Sequence, residues 1–206
     1  LVVPAWTFAL APSLGWVSKR LAARGVEQCL VVHNAYDHET AGWKNRLMDW
    51  QLGAADRFVT HNHGLSEELA QHFPGTPLSI FPHPTFDDLP AAEGSLKRRF
   101  AVELLFFGLV RPYKGLDLLL DAIAMVDRAD IGLTIAGEFW DGLDETRARI
   151  TELDRGDAVE LIPRFVSDGE AAELFHRADA IVLPYRAVSG SGVGSTAYHY
   201  GRPVIA

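Results

Sequence analysis

The residues best placed to do chemistry lie in the segment FFGLVRPYKGLDLLLDA. An apolar run leads into Gly108, and Arg111 and Lys114 stand immediately before the start of a helical pattern. Backbone N–H groups at a helix N-terminus already favour an anion, and two fixed cations beside them would clamp a phosphate or diphosphate. The protein as a whole has a formal charge of -8. An anionic ligand must therefore be held by such a local constellation and not by a global field. On spacing alone, the reading of Arg111 and Lys114 as solvated loop charges stays open. The GxxxxGK[ST] spacing of a P-loop is absent.

In open α/β sheets, ligands bind beyond the carboxyl ends of the strands. That rule selects the polar residues following each strand-like run: His33 and Asn34, His61 and His63, Gly108 to Lys114, Gly137 and Glu138, Arg164, and Tyr185 to Gly192. A metal site would draw on His33, His61 and His63, with His38 and Glu39 as further ligands. Hydrolases of that kind need additional ligands late in the chain, where His176 reads as a helix-face residue. A nucleophile elbow fails because GxSxG around Ser191 would need glycine at position 189, which is serine. Asp117 and Asp121 fall one turn apart and read as solvated, not as a glycosidase pair. The five tryptophans read as core or lobe packing.

The elements that must position these groups follow from composition and periodicity. With 206 residues, 48% hydrophobic and 22% charged, the chain has material for one large or two small globular domains. Its pI of about 5.4 argues against nucleic acid as a partner. Cys29 alone cannot form an internal disulfide and fits a reducing compartment. The uncharged first eighteen residues are broken by Pro4, Pro12 and Gly15, so they read as strand, loop and helix start. Short apolar runs then alternate with amphipathic ones, the pattern of parallel α/β sheets. Expected helices include 40–52 with Trp43, Leu47, Trp50 and Leu52 at helical spacing, one capped by Ser66, and 115–126 with Leu118, Leu119, Ala122 and Met125 on one side. Another opens on a Ser167/Glu170 capping box. Pro82 to Arg99 lacks a clean period and reads as linker. The expected organisation is two Rossmann-like lobes, both incomplete: 1–84, a linker over 85–100, and 101–206.

The run G-x-V-R-P-Y-K-G-x-D-x-L-L-x-A resembles the opening of the donor-binding lobe of glycosyltransferase family 4, which has the GT-B fold. VVHNAYDHE resembles that family's HN-x-x-x-HE segment, AADRFVTHN its AD-x-x-I-x-x-S strand, and IFPHPTFDD the approach to the interlobe linker. LTIAGE, VSDGEAAELFHRADAIVLPYR and AYHYGRPVIA are similar to successive donor-lobe elements, all in the same order.

The resemblance implies a retaining hexosyltransferase of polysaccharide biosynthesis type, with a cleft between two lobes. Its donor would be a nucleotide-diphosphate sugar, used without metal or other cofactor. Its acceptor would be a glycan, a lipid-linked sugar or a polysaccharide precursor. The implied location is the cytoplasm, with the inner membrane face as an option for the full-length protein. By match, Arg111 and Lys114 hold the diphosphate and stabilise its departing charge, and His33 supports the reacting centre. Gly108, Gly137, Glu138, Arg164, Ser191 and Gly192 border the donor. Two departures stand out. The family's pair of glutamates falls on Val188 and Thr196, and Ser191-Gly192 then takes over part of their role at a helix start. The chain also begins without methionine and stops inside PVIA, so it reads as a fragment not expected to turn over alone. A nucleotide-sugar binder without catalysis, an epimerase on the same fold, and the metal-dependent hydrolase remain as alternatives.

Overall fold

A computed structural model describes residues 1–33, 42–82, 88–154, 156–186 and 190–206. The chain divides into two compact units, Leu1–His83 and Pro84–Ala206, each built on one parallel sheet. The expected fold class, two parallel α/β units, is what the structure shows.

The first unit runs β1 (Val2–Ala5), α1 (Ala11–Ala22), β2 (Cys29–Val32), α2 (Gly42–Leu52), β3 (Arg57–Thr60), α3 (His63–His72) and β4 (Leu78–Ile80), with strands in chain order. Val3, Leu30, Val32 and Phe58 from the strands pack with Ala11, Met48, Leu52, Leu65 and Leu69 from the helices. The register aligns Ala5, Val32, Thr60 and Ile80. The next residues, Trp6, His33, His61 and Phe81, therefore follow level positions at one carboxyl edge.

The second unit runs β5 (Val102–Phe107), a 3-10 turn over Pro112–Lys114, α4 (Leu116–Met125), β6 (Ile131–Ala136), α5 (Leu143–Glu152), β7 (Val159–Ile162), α6 (Asp168–Arg177), β8 (Ala180–Val182), α7 (Gly192–His199) and β9 (Val204–Ile205). Its strand order is β7-β6-β5-β8-β9. Leu105 and Phe106 on β5 enter two separate apolar clusters, consistent with a central strand covered on both faces.

Several expectations are corrected. Ser66 does not cap α3. Asn62 does, in extended backbone, its Oδ1 accepting the Leu65 N–H at 2.8 Å, because the apolar face of the helix already begins at Leu65. On α4 the buried set is Leu116, Leu119 and Leu120, while Leu118 and Met125 are exposed. Gly115, at φ +67°, precedes that helix, and a Cβ there would collide with the Pro184 carbonyl. This close approach fixes how the helix enters and which side meets the sheet. Ser167 caps α6 by accepting the Glu170 N–H at 3.4 Å. The Glu170 carboxylate, however, turns to Arg164. All five tryptophans are 37–70% exposed, so none is core.

Within the second unit, the Glu173 carboxylate on α6 accepts four backbone N–H groups, from Glu93, Gly94, Ser95 and Leu96. Arg98 pairs with Asp179 and Arg99 with Glu160, so residues 93–99 are held against the sheet they precede. Beneath them, buried Arg177 donates to Thr134 at 2.7 Å and to Glu160 at 2.5 Å.

Candidate functional site

Strand order reverses between β5 and β8, and the crevice beyond the carboxyl ends of those strands is where such sheets place ligands. Gly108 and the turn bearing Arg111 and Lys114 leave β5 there. Pro184 to Arg186 and the N-terminus of α7 follow β8. A Cβ on Gly108 would stand 3.3 Å from both Lys114 Nζ and Val193 Cγ2, so three segments converge on one point. Gly137, following β6 at φ +144°, passes so near the Gly108 carbonyl that no side chain fits between them.

Lys114 is 7% exposed, and that burial removes the solvated-charge reading for this residue. Its ammonium lies 5.6 Å from the centroid of the Tyr185 ring. Desolvation, helped by the charge of Arg111, lowers its pKa to about 8. Arg111 is half-buried, its guanidinium 4.4 Å from the centroid of Trp140. Ser191 caps α7, its Oγ accepting the Gly194 N–H at 3.1 Å, so the residues from Gly192 onward start a helix as expected. The Ser191 hydroxyl also bonds to Tyr185, whose pKa burial holds above its ordinary value.

Arg186 locks the two loops together. It forks onto Asp117 at 2.9 and 2.5 Å, donates to the Pro112 carbonyl at 2.9 Å, and its backbone N–H donates to the Tyr113 carbonyl at 2.8 Å. Asp117 is thus ion-paired and not simply solvated, and Asp121 pairs with Arg149. These pairings, and the stacking of Trp140 on Arg111, had no local signal: the partners lie far apart in the chain, Arg186 meeting Asp117 through the β5–β8 reversal and the other two pairs meeting because β5 and β6 are neighbours.

Glu138 is exposed and works here through its backbone, its carbonyl accepting the Val110 N–H at 2.7 Å. Arg164 stands at the end of β7, but its guanidinium is spent in a bidentate pair with Glu170 at 2.8 and 2.6 Å. A separate pocket of about 540 Å³ opens between α4 and α5, with Leu116, Leu120, Gly142 and Thr146 in its wall. It shares Arg111 with the site but not Gly108, Lys114 or Ser191.

In the first unit, the His33 ring lies 4.7 Å from that of His61 and 6.0 Å from that of Trp6. The His33 N–H is bonded to the Ala5 carbonyl, and His61 Nδ1 to the Phe81 carbonyl at 2.9 Å. His63 is instead the exposed first residue of α3. Among the described residues, no three His, Cys, Asp or Glu side chains gather as a metal-holding group. Asn34, His38 and Glu39, and likewise Val188 and Ser189, lie outside the described residues.

The second unit is thus a parallel α/β sheet with reversed strand order, with a buried cation and a helix start beside its switch point. Residues 101–206 match the family model of Glycosyl transferases group 1, and the chain belongs to that family. It is 27% identical over 198 residues to a GDP-mannose:glycolipid 4-beta-D-mannosyltransferase of Xanthomonas campestris pv. campestris, covering 91% of this chain and 52% of that protein. A D-inositol 3-phosphate glycosyltransferase of Actinosynnema mirum is 26% identical over 174 residues, covering 75% of this chain and 42% of its own length. The chain therefore spans about half the length of these curated relatives or less. Among solved structures, sucrose-phosphate synthase of Thermosynechococcus elongatus superposes with a TM-score of 0.75 at 16% identity, over 98% of this chain and 55% of that one. HepE of Anabaena, solved with UDP, gives 0.75 at 14% identity, over 100% and 59%. These likenesses place the fold among GT-B glycosyltransferases.

Proposed function

We propose that this chain belongs to a family 4 glycosyltransferase that transfers a hexose, with retention, from a nucleotide-diphosphate sugar to a glycan, lipid-linked or polysaccharide-precursor acceptor. The observation that carries the reading is the buried ammonium of Lys114 at the switch point, beside Gly108 and the first turn of α7. Burying a cation is costly unless an anion offsets it, and a diphosphate there would meet Lys114, Arg111 and the N–H groups following Ser191. These groups neutralise the leaving-group charge that develops in the transition state, so the reaction needs no metal. Gly108 and Gly137 give the donor room to approach the backbone, and the backbones of Glu138 and Arg164 edge the nucleotide. His33 supports the reacting centre.

The relatives act, by their names, on a glycolipid and on an inositol phosphate, which supports a lipid-linked or small polyol acceptor. A second stereochemical reading has a specific basis. One relative is named for a beta-mannosyl product, and neither glutamate position of the retaining pattern carries a carboxylate here. From an α-linked donor, a β product requires inversion, with His33 as the group to take the acceptor proton.

Titration calorimetry with UDP and GDP, with and without EDTA, tests the donor site. Metal-independent binding that disappears in Arg111→Ala and Lys114→Ala supports it. Unchanged binding in those variants sinks it. The anomeric linkage of the product of the full-length enzyme, read by NMR, decides between retention and inversion.

A further inference from the structure

Arg111, Arg164 and Arg186 follow the carboxyl ends of β5, β7 and β8, and they are held in two different ways. Arg164 forks onto the Glu170 carboxylate and Arg186 onto that of Asp117. Such a partner takes up the donor N–H groups of a guanidinium and neutralises its charge. Arg111 forms no ion pair with a carboxylate among the described residues. Its guanidinium lies instead 4.4 Å from the centroid of the Trp140 ring. An aromatic face attracts a cation through its quadrupole, and leaves the charge and the N–H donors at the guanidinium edge to another partner.

The backbone sets that ring in place. The Val110 N–H donates to the Glu138 carbonyl at 2.7 Å, the Trp140 N–H donates to the Val110 carbonyl at 3.1 Å, and Val110 and Phe139 form a parallel bridge. The segments carrying Arg111 and Trp140 are thus joined by main-chain bonds that need neither side chain. Trp140 is 70% exposed, so replacing it removes the ring without opening the core. The carboxylates of Asp117, Asp121, Asp141 and Glu145 share with Arg111 the lining of the pocket between α4 and α5. A freely turning guanidinium would be drawn to these acids and away from the crevice at the switch point. The indole offers a position in which it is fixed and still cationic.

We propose that Trp140 is a positioning residue, holding Arg111 as an uncompensated cation for the diphosphate of the donor nucleotide. The inference rests on the reading of the crevice as the donor site, and adds the residue on which half of the clamp depends. Trp140 acts through Arg111 and not on the nucleotide itself.

Two measurements on the full chain test this. In the nucleotide-free protein, the NMR signal of the Arg111 Nε–H should move when Trp140→Leu removes the ring current, whatever the crevice binds. Titration calorimetry with UDP and GDP in EDTA then reads the consequence. Trp140→Leu should lose between about twofold and fivefold in affinity, the size of an exposed cation–ring contact. Trp140→Phe, which keeps a ring, should recover most of that loss. In an Arg111→Ala background, Trp140→Leu should change nothing further. Circular dichroism checks that each variant folds. The proposal is overturned if the Arg111 signal stays where it was, or if Trp140→Leu binds as tightly as wild type. It is overturned equally if leucine serves as well as phenylalanine, which would make the ring simple bulk. A loss that persists in the Arg111→Ala background would set the indole against the nucleotide and also overturn it. A wild type that binds neither nucleotide, with the Arg111 signal responding as expected, would sink the donor reading and leave the stack without the proposed role.

Discussion

The Lys114 ammonium stands 5.6 Å from the centroid of the Tyr185 ring, so the loops leaving β5 and β8 meet over one buried cation. Desolvation and the neighbouring Arg111 bring its pKa to about 8. If a diphosphate binds the charged form, affinity should be steady below about pH 8 and fall above it by up to about tenfold per pH unit. Lys114→Ala should bind weakly and without that inflection. Calorimetry across the alkaline range checks both, and an inflection that persists in the variant would place the titrating group elsewhere.

The same shift has a consequence for stability. The folded pKa lies below the unfolded value, so the unfolded chain binds more protons between about pH 8 and 10.5 and stability rises across that window. Below it, the buried ammonium is a burden on the ligand-free protein. Lys114→Met should therefore raise the denaturation midpoint at pH 7 while removing nucleotide binding. A lowered midpoint would mean that the ammonium is already offset by protein groups.

The two arginines nearest the proposed donor should behave differently. Arg111 stacks on Trp140, whereas the Arg164 guanidinium is held by Glu170. Arg111→Ala should cost at least about tenfold in nucleotide affinity, in line with the loss of a charge-assisted bond. Arg164→Ala should stay within about threefold, as expected if only its backbone borders the base. Equal losses in both would return the Arg164 side chain to the site.

Much of this was legible beforehand, for physical reasons. The run VELLFF followed by glycine and two cations announces a central strand leading to a turn and a helix start, because burial on both faces and the helix start are local properties. What tertiary contact decides was not legible. Met125 sits at a core-like spacing yet lies outside, since the approach of Gly115 to the Pro184 carbonyl sets which side of α4 faces in. The tryptophans look like core by residue type, yet Trp16, Trp43 and Trp50 lie outside the packed helices α1 and α2, and Trp6 and Trp140 are exposed in the loops after β1 and β6. The clamp of Arg186 on Asp117 joins groups from two strand ends that no sequence window contains.

Residues 93–96 are tied to α6 through the carboxylate of Glu173. Partial desolvation raises the pKa of Glu173, but the N–H groups of Glu93, Ser95 and Leu96 outweigh it and hold the carboxylate at about 2. The folded pKa lies below the unfolded one, so the clasp stabilises the fold fully above about pH 4.5 and is lost as pH falls towards 2. Glu173→Ala removes the acceptor of four N–H groups, and the amides of Glu93 to Leu96 should then exchange with solvent much faster at neutral pH. Glu173→Gln keeps one acceptor oxygen without the charge and should fall between wild type and alanine. In urea unfolding, the gap between wild type and Glu173→Ala should be constant above about pH 5 and close as the pH approaches 2. A gap that stays the same at pH 3 and pH 7 would show that packing of the side chain, and not its ionised carboxylate, anchors this segment to α6.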